Sequence, residues 1–144
     1  MNLTDTCPAL GQWIRDVDGV SPAEFDGDRG ILLIDDRYRV HLQALRRHLL
    51  LRCRVATLPD GIERETLLRT LLTEATQRFE YEPFGLAVDP EGEAIWLQGT
   101  LPLTVSALLL RGTLDDFVGA LDALRAQAIT FRRRRRPVPG ALPA

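Results

Sequence analysis

The sequence predicts an α+β domain, a twisted and mostly antiparallel sheet packed against helices, and three observations carry that prediction. Val40, Leu42 and Ala44 alternate with Arg39, His41 and Gln43, and Leu49, Leu51, Cys53 and Val55 alternate with Leu50, Arg52, Arg54 and Ala56. This period of two marks strands with one face on a core. Three other segments place apolar residues at steps of three and four, the spacing of one helical face. Asp89-Pro90-Glu91-Gly92, set between two short apolar runs, carries the residues a type I turn favours and reads as the tip of a hairpin. The resulting order is helix, three strands, helix, two strands, helix, or α-β-β-β-α-β-β-α.

In the first segment, Asp5 to Val17, residues Leu3, Cys7, Leu10, Ile14 and Val17 define an amphipathic helix. Pro8 is acceptable there only within the first turn, where its missing N–H has no intrahelical partner. Gly19 and Pro22 end the run. Ile31 to Ile34 is the first strand, and it is apolar on both faces, so a second surface must cover it. Asp60 with Glu63 opens the next helix with a capping-box spacing, and Leu68, Leu71, Leu72, Ala75 and Phe79 form its buried stripe until Pro83 stops it. The hairpin runs from Leu86 to Gln98. Ala107, Leu110, Leu114, Phe117, Leu121, Leu124 and Ala128 then keep helical phase through Gly112, which predicts one long last helix, kinked or broken near Gly112.

A chain of 144 residues is about one domain long, and its 45% apolar and 26% charged content is that of a globular protein. The domain is expected over 1–130, with 131–144 a flexible Arg- and Pro-containing tail. No apolar run reaches the roughly 18–20 residues of a membrane helix, and the N-terminus lacks signal-peptide character. All 18 basic residues are Arg, and five of them stand together from Arg132 to Arg136. The remainder has 13 Arg against 20 acidic residues, and an acidic body with a short basic tail is a poor general nucleic-acid binder.

No catalytic set emerges. Cys7 and Cys53 lack disulfide or metal-ligand spacing and read as reduced, apolar residues. A Cys53–His41 nucleophile and base is disfavoured because the alternation puts them on opposite faces. Asp35-Asp36 and Asp26-Gly27-Asp28 read as turns rather than cation sites, and no glycine-rich phosphate loop is present. The expectation is therefore no catalytic residue, no metal and no cofactor.

The strings Ile31-Leu32-Leu33-Ile34-Asp35-Asp36, Tyr38 to Ala44, His48 to Leu58, Glu63 to Phe79, Phe84 to Gly92, Ile95-Trp96-Leu97 and Leu101-Pro102-Leu103 follow one another in an order that few small domains share. Over residues 3 to 128 the chain resembles the class I type III secretion chaperones, the Tir-chaperone-like (CesT-like) family. The resemblance implies a cytoplasmic bacterial homodimer that holds the N-terminal segment of a secreted effector in an extended, secretion-competent state, without catalysis. The secretion-system ATPase is a further partner compatible with it. The competing reading is a regulatory or adaptor module of the same fold, acting through protein or nucleic-acid contacts of the basic tail.

Two surfaces are expected on this reading. Trp13, Ile31, Leu32, Leu33, Ile34 and Leu50 would bind the effector, with the first strand at the sheet edge as a template for strand addition. Leu71, Phe84, Leu86, Val88 and Trp96, on the middle helix and hairpin, would form the dimer interface.

Overall fold

A computed structural model describes residues 2–78 and 83–135. Met1, residues 79–82 (with Phe79) and residues 136–144 lie outside the described residues, so the expectations that fall on them stand as expectations. Ten elements follow in order: α1 (Leu3–Thr6), α2 (Pro8–Asp16), β1 (Val20–Asp26), β2 (Arg29–Ile34), β3 (Tyr38–Ala44), β4 (His48–Thr57), α3 (Ile62–Arg78), β5 (Phe84–Val88), β6 (Ala94–Pro102) and α4 (Ala107–Arg135). All neighbouring strands pair antiparallel, in the order β1-β2-β3-β4-β6-β5.

The α+β reading holds, with one more strand than the sequence showed. β1 contains Pro22, a bulge between Ala23 and Asp26, and Glu24 in the left-handed region at φ 49°. Those features hide a strand from a pattern search, yet all are tolerated at an edge, where no further strand needs the missing N–H. The consequence is a correction: β2, which holds Ile31 to Ile34, is paired on both sides and is not the sheet edge.

The first helix is likewise two. Pro8 cannot donate to the preceding turn, so the chain breaks at Cys7, and Pro8 becomes the first residue of α2. The side chain of Asn2 accepts the Asp5 N–H at 2.9 Å and caps α1. Apolar phase survives the break, because Leu3, Cys7 and Leu10 all remain fully buried. Trp13 joins them at 5% exposure.

One face of the sheet is covered by helices. Leu32 and Ile34, Val40 and Leu42, Leu49, Leu51 and Cys53, and Ile95, Leu97 and Leu101 meet Leu110, Leu114, Phe117, Leu121 and Leu124 of α4 in one cluster. Packing of this kind contributes about 1.5–3 kcal/mol per large side chain. α4 has 29 residues, hence about 43 Å of length, and runs through Gly112 without a break. It also passes the expected boundary at 130. Phe131 is partly buried against the core, and the Arg132 guanidinium donates to the Thr57 carbonyl at 3.1 Å. The start of the basic run is therefore helical and docked, which corrects its assignment to a tail.

That contact belongs to a larger device. β4 pairs with β3 only as far as Arg52, so the carbonyls of its last residues have no strand partner on that side. Arg125, seven residues and two turns before Arg132, donates Nε and Nη2 to the Arg54 carbonyl at 3.2 and 2.7 Å. Its guanidinium also lies 5.6 Å from the centre of the Tyr38 ring. Two arginines of α4 thus satisfy the exposed edge of β4.

α3 lies antiparallel along α4, with Arg78 beside Gly119 and Thr66 and Thr70 beside Gln127. Its contact line falls on Leu67, Leu71 and Ala75. The expected stripe is rotated by one position: Leu71 and Ala75 are buried as read, while Leu68 is only partly buried and Leu72 is 50% exposed. Four leucines at 67, 68, 71 and 72 offer two parallel stripes, and only packing decides between them. The Asp89 turn forms as expected, its Oδ1 accepting the N–H groups of Glu93 and Ala94 at 2.7 and 3.3 Å.

Two glycines give opposite predictions. An added Cβ at Gly99 would stand 2.7 Å from the Phe84 ring, which is held edge to face against Phe117 at 5.4 Å and cannot yield. Gly99→Ala is expected to cost about 1–3 kcal/mol. A Cβ at Gly112 meets nothing within 4 Å and would stiffen the helix, so Gly112→Ala is expected to add about 0.5–1 kcal/mol, or about 2–4 °C in Tm. Thermal melts of the two variants check both signs.

Candidate functional site: the open face of the sheet

Directly opposed residues of an antiparallel pair share a face, and the register therefore maps the side of the sheet that no helix covers among the described residues. One row crosses it as Ala23, Ile31, His41, Arg52, Gln98 and Gly85. Neighbouring rows hold Leu33 with Arg39, Gln43 with Leu50 and Thr100, and Arg54 with Trp96 and Ala87. A groove of about 390 Å³ is sunk in this face, with Ile31, His41 and Leu50 in its lining, Glu24 and Asp26 contributed by β1, and Arg29 and Arg52 as its basic members.

The groove has a built aromatic rim. Trp96 receives the His41 ring edge to face at 5.3 Å, and the Arg52 guanidinium stands 4.8 Å from its centroid. Desolvation, and secondarily the positive charges of Arg39 and Arg52, hold His41 below its ordinary pKa, with Glu24 pulling the other way. The imidazole is therefore neutral at pH 7. Arg52 Nε is buried without a hydrogen-bond partner among the described residues. The 3.9 Å pair of Arg39 with Glu24 is exposed and adds little stability.

The expected effector residues divide between the two faces. Ile31 and Leu50 line the groove, and Leu33 stands half-buried on the same open face. Leu32, Ile34 and Trp13 belong to the helix-covered core. Residues two apart on a strand share a face, so Leu32 and Ile34 point inward together, and Trp13 is not a neighbour of Leu50 on any one surface. Those three offer no surface to a partner. The register itself was readable from the alternation of β3, but the position of β2 within the sheet depended on β1.

The expected interface residues also part. Leu71 and Phe84 are buried within the chain, Leu86 is half-buried opposite Leu97 on the helix side, Val88 is exposed, and Trp96 lies on the open face. A different apolar surface does stand free on the middle helix. Leu68 and Leu72, flanked by Glu65, Arg69, Thr73 and Thr76, line a shallow groove of about 530 Å³ on the outer side of α3. Ile62, at the start of the same helix, is 83% exposed.

Nucleophile chemistry finds no assembly. His41 faces the groove while Cys53, next to the register partner of His41, points into the core. Burial pushes both thiols, Cys7 and Cys53, up in pKa, which keeps them protonated and unreactive. Among the described residues no group of three or more His, Cys, Asp or Glu is placed to hold a metal ion, and no helix is long and apolar enough to cross a membrane.

Comparison with known proteins places this geometry. No curated protein matches the chain in sequence. Among solved structures, the HopA1–SchA chaperone–effector complex contains a chain 17% identical, with a TM-score of 0.61 over 83% of this chain and 91% of that one. The ExsC–ExsE complex matches at 20% identity and TM-score 0.60, over 88% and 96% of the two chains. The Yersinia pestis type III secretion chaperone SycH, solved with a stable fragment of YscM2, matches at 20% identity and TM-score 0.54, over 83% and 98%. At these identities the likeness is one of fold. The family model described as Tir chaperone protein (CesT) family matches residues 18–125, most of the chain, and the protein therefore belongs to the Tir chaperone protein (CesT) family.

Proposed function

We propose that this protein is a cytoplasmic type III secretion chaperone of a bacterium, which binds the N-terminal region of a secreted effector and keeps it secretion-competent without catalysis. The observation that carries the reading is the open sheet face: a groove with Ile31 and Leu50 in its lining, rimmed by Trp96, His41 and Arg52, on the side of the sheet that no helix covers. Family membership supports the same class of function. An extended segment would place an apolar side chain over Ile31 and Leu50 and use the mixed acidic and basic rim for register. Ordering such a segment costs about 2–5 kcal/mol or more, so the contact must extend along several rows.

We further propose that the working form is a homodimer joined through the outer side of α3, with the interface moved from the expected buried residues to Leu68 and Leu72. Glu65 and Arg69 flank these leucines one turn apart on the same groove. In a two-fold, antiparallel contact each glutamate meets the partner's arginine while the leucines interleave. Binding at the open face and pairing at α3 use separate surfaces.

Affinity purification from native cells with mass spectrometry is the first test, and a secreted protein is the expected companion. Leu50→Glu and Leu33→Glu should each reduce its recovery at least tenfold while the melting curve stays cooperative, and Leu32→Glu should unfold the chain instead. Undiminished recovery with both open-face variants would refute the placement of the site.

Light scattering of the purified chain is expected to give twice the 16.1 kDa chain mass. Leu72→Glu should return a folded monomer at micromolar concentration. A wild-type monomer, or a dimer indifferent to this change, would contradict the α3 interface.

A further inference from the structure

We propose a second binding site, a cationic groove between the end of β4 and the C-terminal part of α4 that takes the carboxylate side chain of an acidic peptide segment. The groove measures about 280 Å³ and has Arg54, Arg125 and Arg132 in its lining. Among the described residues no acidic side chain lines it. Arg54 feels the charge of Asp89, but that carboxylate already accepts the N–H groups of Glu93 and Ala94.

The arginines are positioned by the fold and only partly used by it. Arg125 and Arg132 spend Nε and Nη2 donors on the carbonyls of Arg54 and Thr57, and Arg54 spends Nη2 on the Thr57 hydroxyl at 2.7 Å. The Nη1 groups of all three have no hydrogen-bond partner among the described residues. Three arginines on one groove give it an excess of positive charge, and a carboxylate would offset that charge while accepting the unused donors in the forked geometry that guanidinium favours.

The remaining lining selects the class of partner. Val55, Ala56, Ala128 and the half-exposed Ile129 give the groove an apolar wall, which suits a peptide whose acidic residue is followed by an aliphatic one. A nucleic acid fits poorly, because among the described residues no aromatic side chain lines the groove for base stacking and the chain outside the Arg132 to Arg136 run is net acidic. This site is separate from the open-face groove, and it stands or falls independently of the proposed function.

The test is an NMR titration of the full-length, isotope-labelled chain at low salt with the capped peptide Leu-Glu-Leu-Glu. Its Leu-Gln-Leu-Gln analogue, inorganic phosphate and a ten-nucleotide oligothymidylate serve as separate arms. Saturable shifts are expected at the amides of Ala56, Thr57 and Ile129 with the acidic peptide, at least fivefold weaker in Arg54→Gln and in Arg132→Gln. If a glutamine variant loses its native spectrum, the lysine variant at that position replaces it and should still bind more weakly. The proposal is overturned by an equal response to the Gln peptide, by affinity unchanged in the substituted chains, by phosphate binding as tightly as the peptide, or by the oligonucleotide binding more tightly at the same amides.

Discussion

The structure depends on the seam between α4 and one face of the sheet. Leu110, Leu114, Phe117, Leu121, Leu124 and Ala128 recur at steps of three and four, and every one is buried in the cluster that also holds side chains of β2 through β6. The seam commits the chain to a single covered face. A sheet of six strands covered on one side only must leave its other side to solvent or to a partner, and there the strands carry polar residues relieved by Ile31, Leu33, Leu50 and Trp96. The proposed binding surface is therefore a consequence of having helices on one face of the sheet rather than on both.

The same helix closes the sheet where its register fails. β3 and β4 separate beyond Arg52, and two arginines two turns apart on α4 donate to the carbonyls left exposed. Tyr38 lies at this junction, its hydroxyl bonded to Asp122 of α4, a contact that raises the phenol pKa. Arginine suits the position because each guanidinium can satisfy a carbonyl and still present donors elsewhere. Stability and surface charge are thus linked at one place in the fold.

Much of this was legible in the sequence. The alternation of β3 and of β4 as far as Arg54, the Asp89 turn and the continuous phase of α4 each depend on local spacing, and each is found where the pattern put it, while a bulge beyond Arg54 buries Val55 and Ala56 together. What was not legible depended on tertiary choices. β1 breaks its own pattern with a proline, a bulge and a left-handed glutamate, all permitted at an edge. The two leucine stripes of α3 were equivalent until α4 selected one. Of the expected binding residues, Ile31, Leu33 and Leu50 share the open face, whereas Leu32 and Ile34 alternate onto the core face and Trp13 is buried on α2, and a strand apolar on both sides does not show which of its faces the helices cover. The juxtaposition of Arg54 on β4 with Arg125 and Arg132 on α4 was not legible because it joins residues far apart in sequence, and the start of the Arg132 run is helical because Phe131 packs against the core.

Site-specific photo-crosslinking in native cells tests the central claim most directly. A benzophenone side chain at position 50 on the open face is compared with one at position 72 on α3. The account predicts a crosslink from position 50 to a second, secreted protein and from position 72 to another copy of this chain. A crosslink from position 50 to the same chain, or a secreted partner captured at position 72 and not at position 50, would contradict the assignment of the open sheet face as the binding surface.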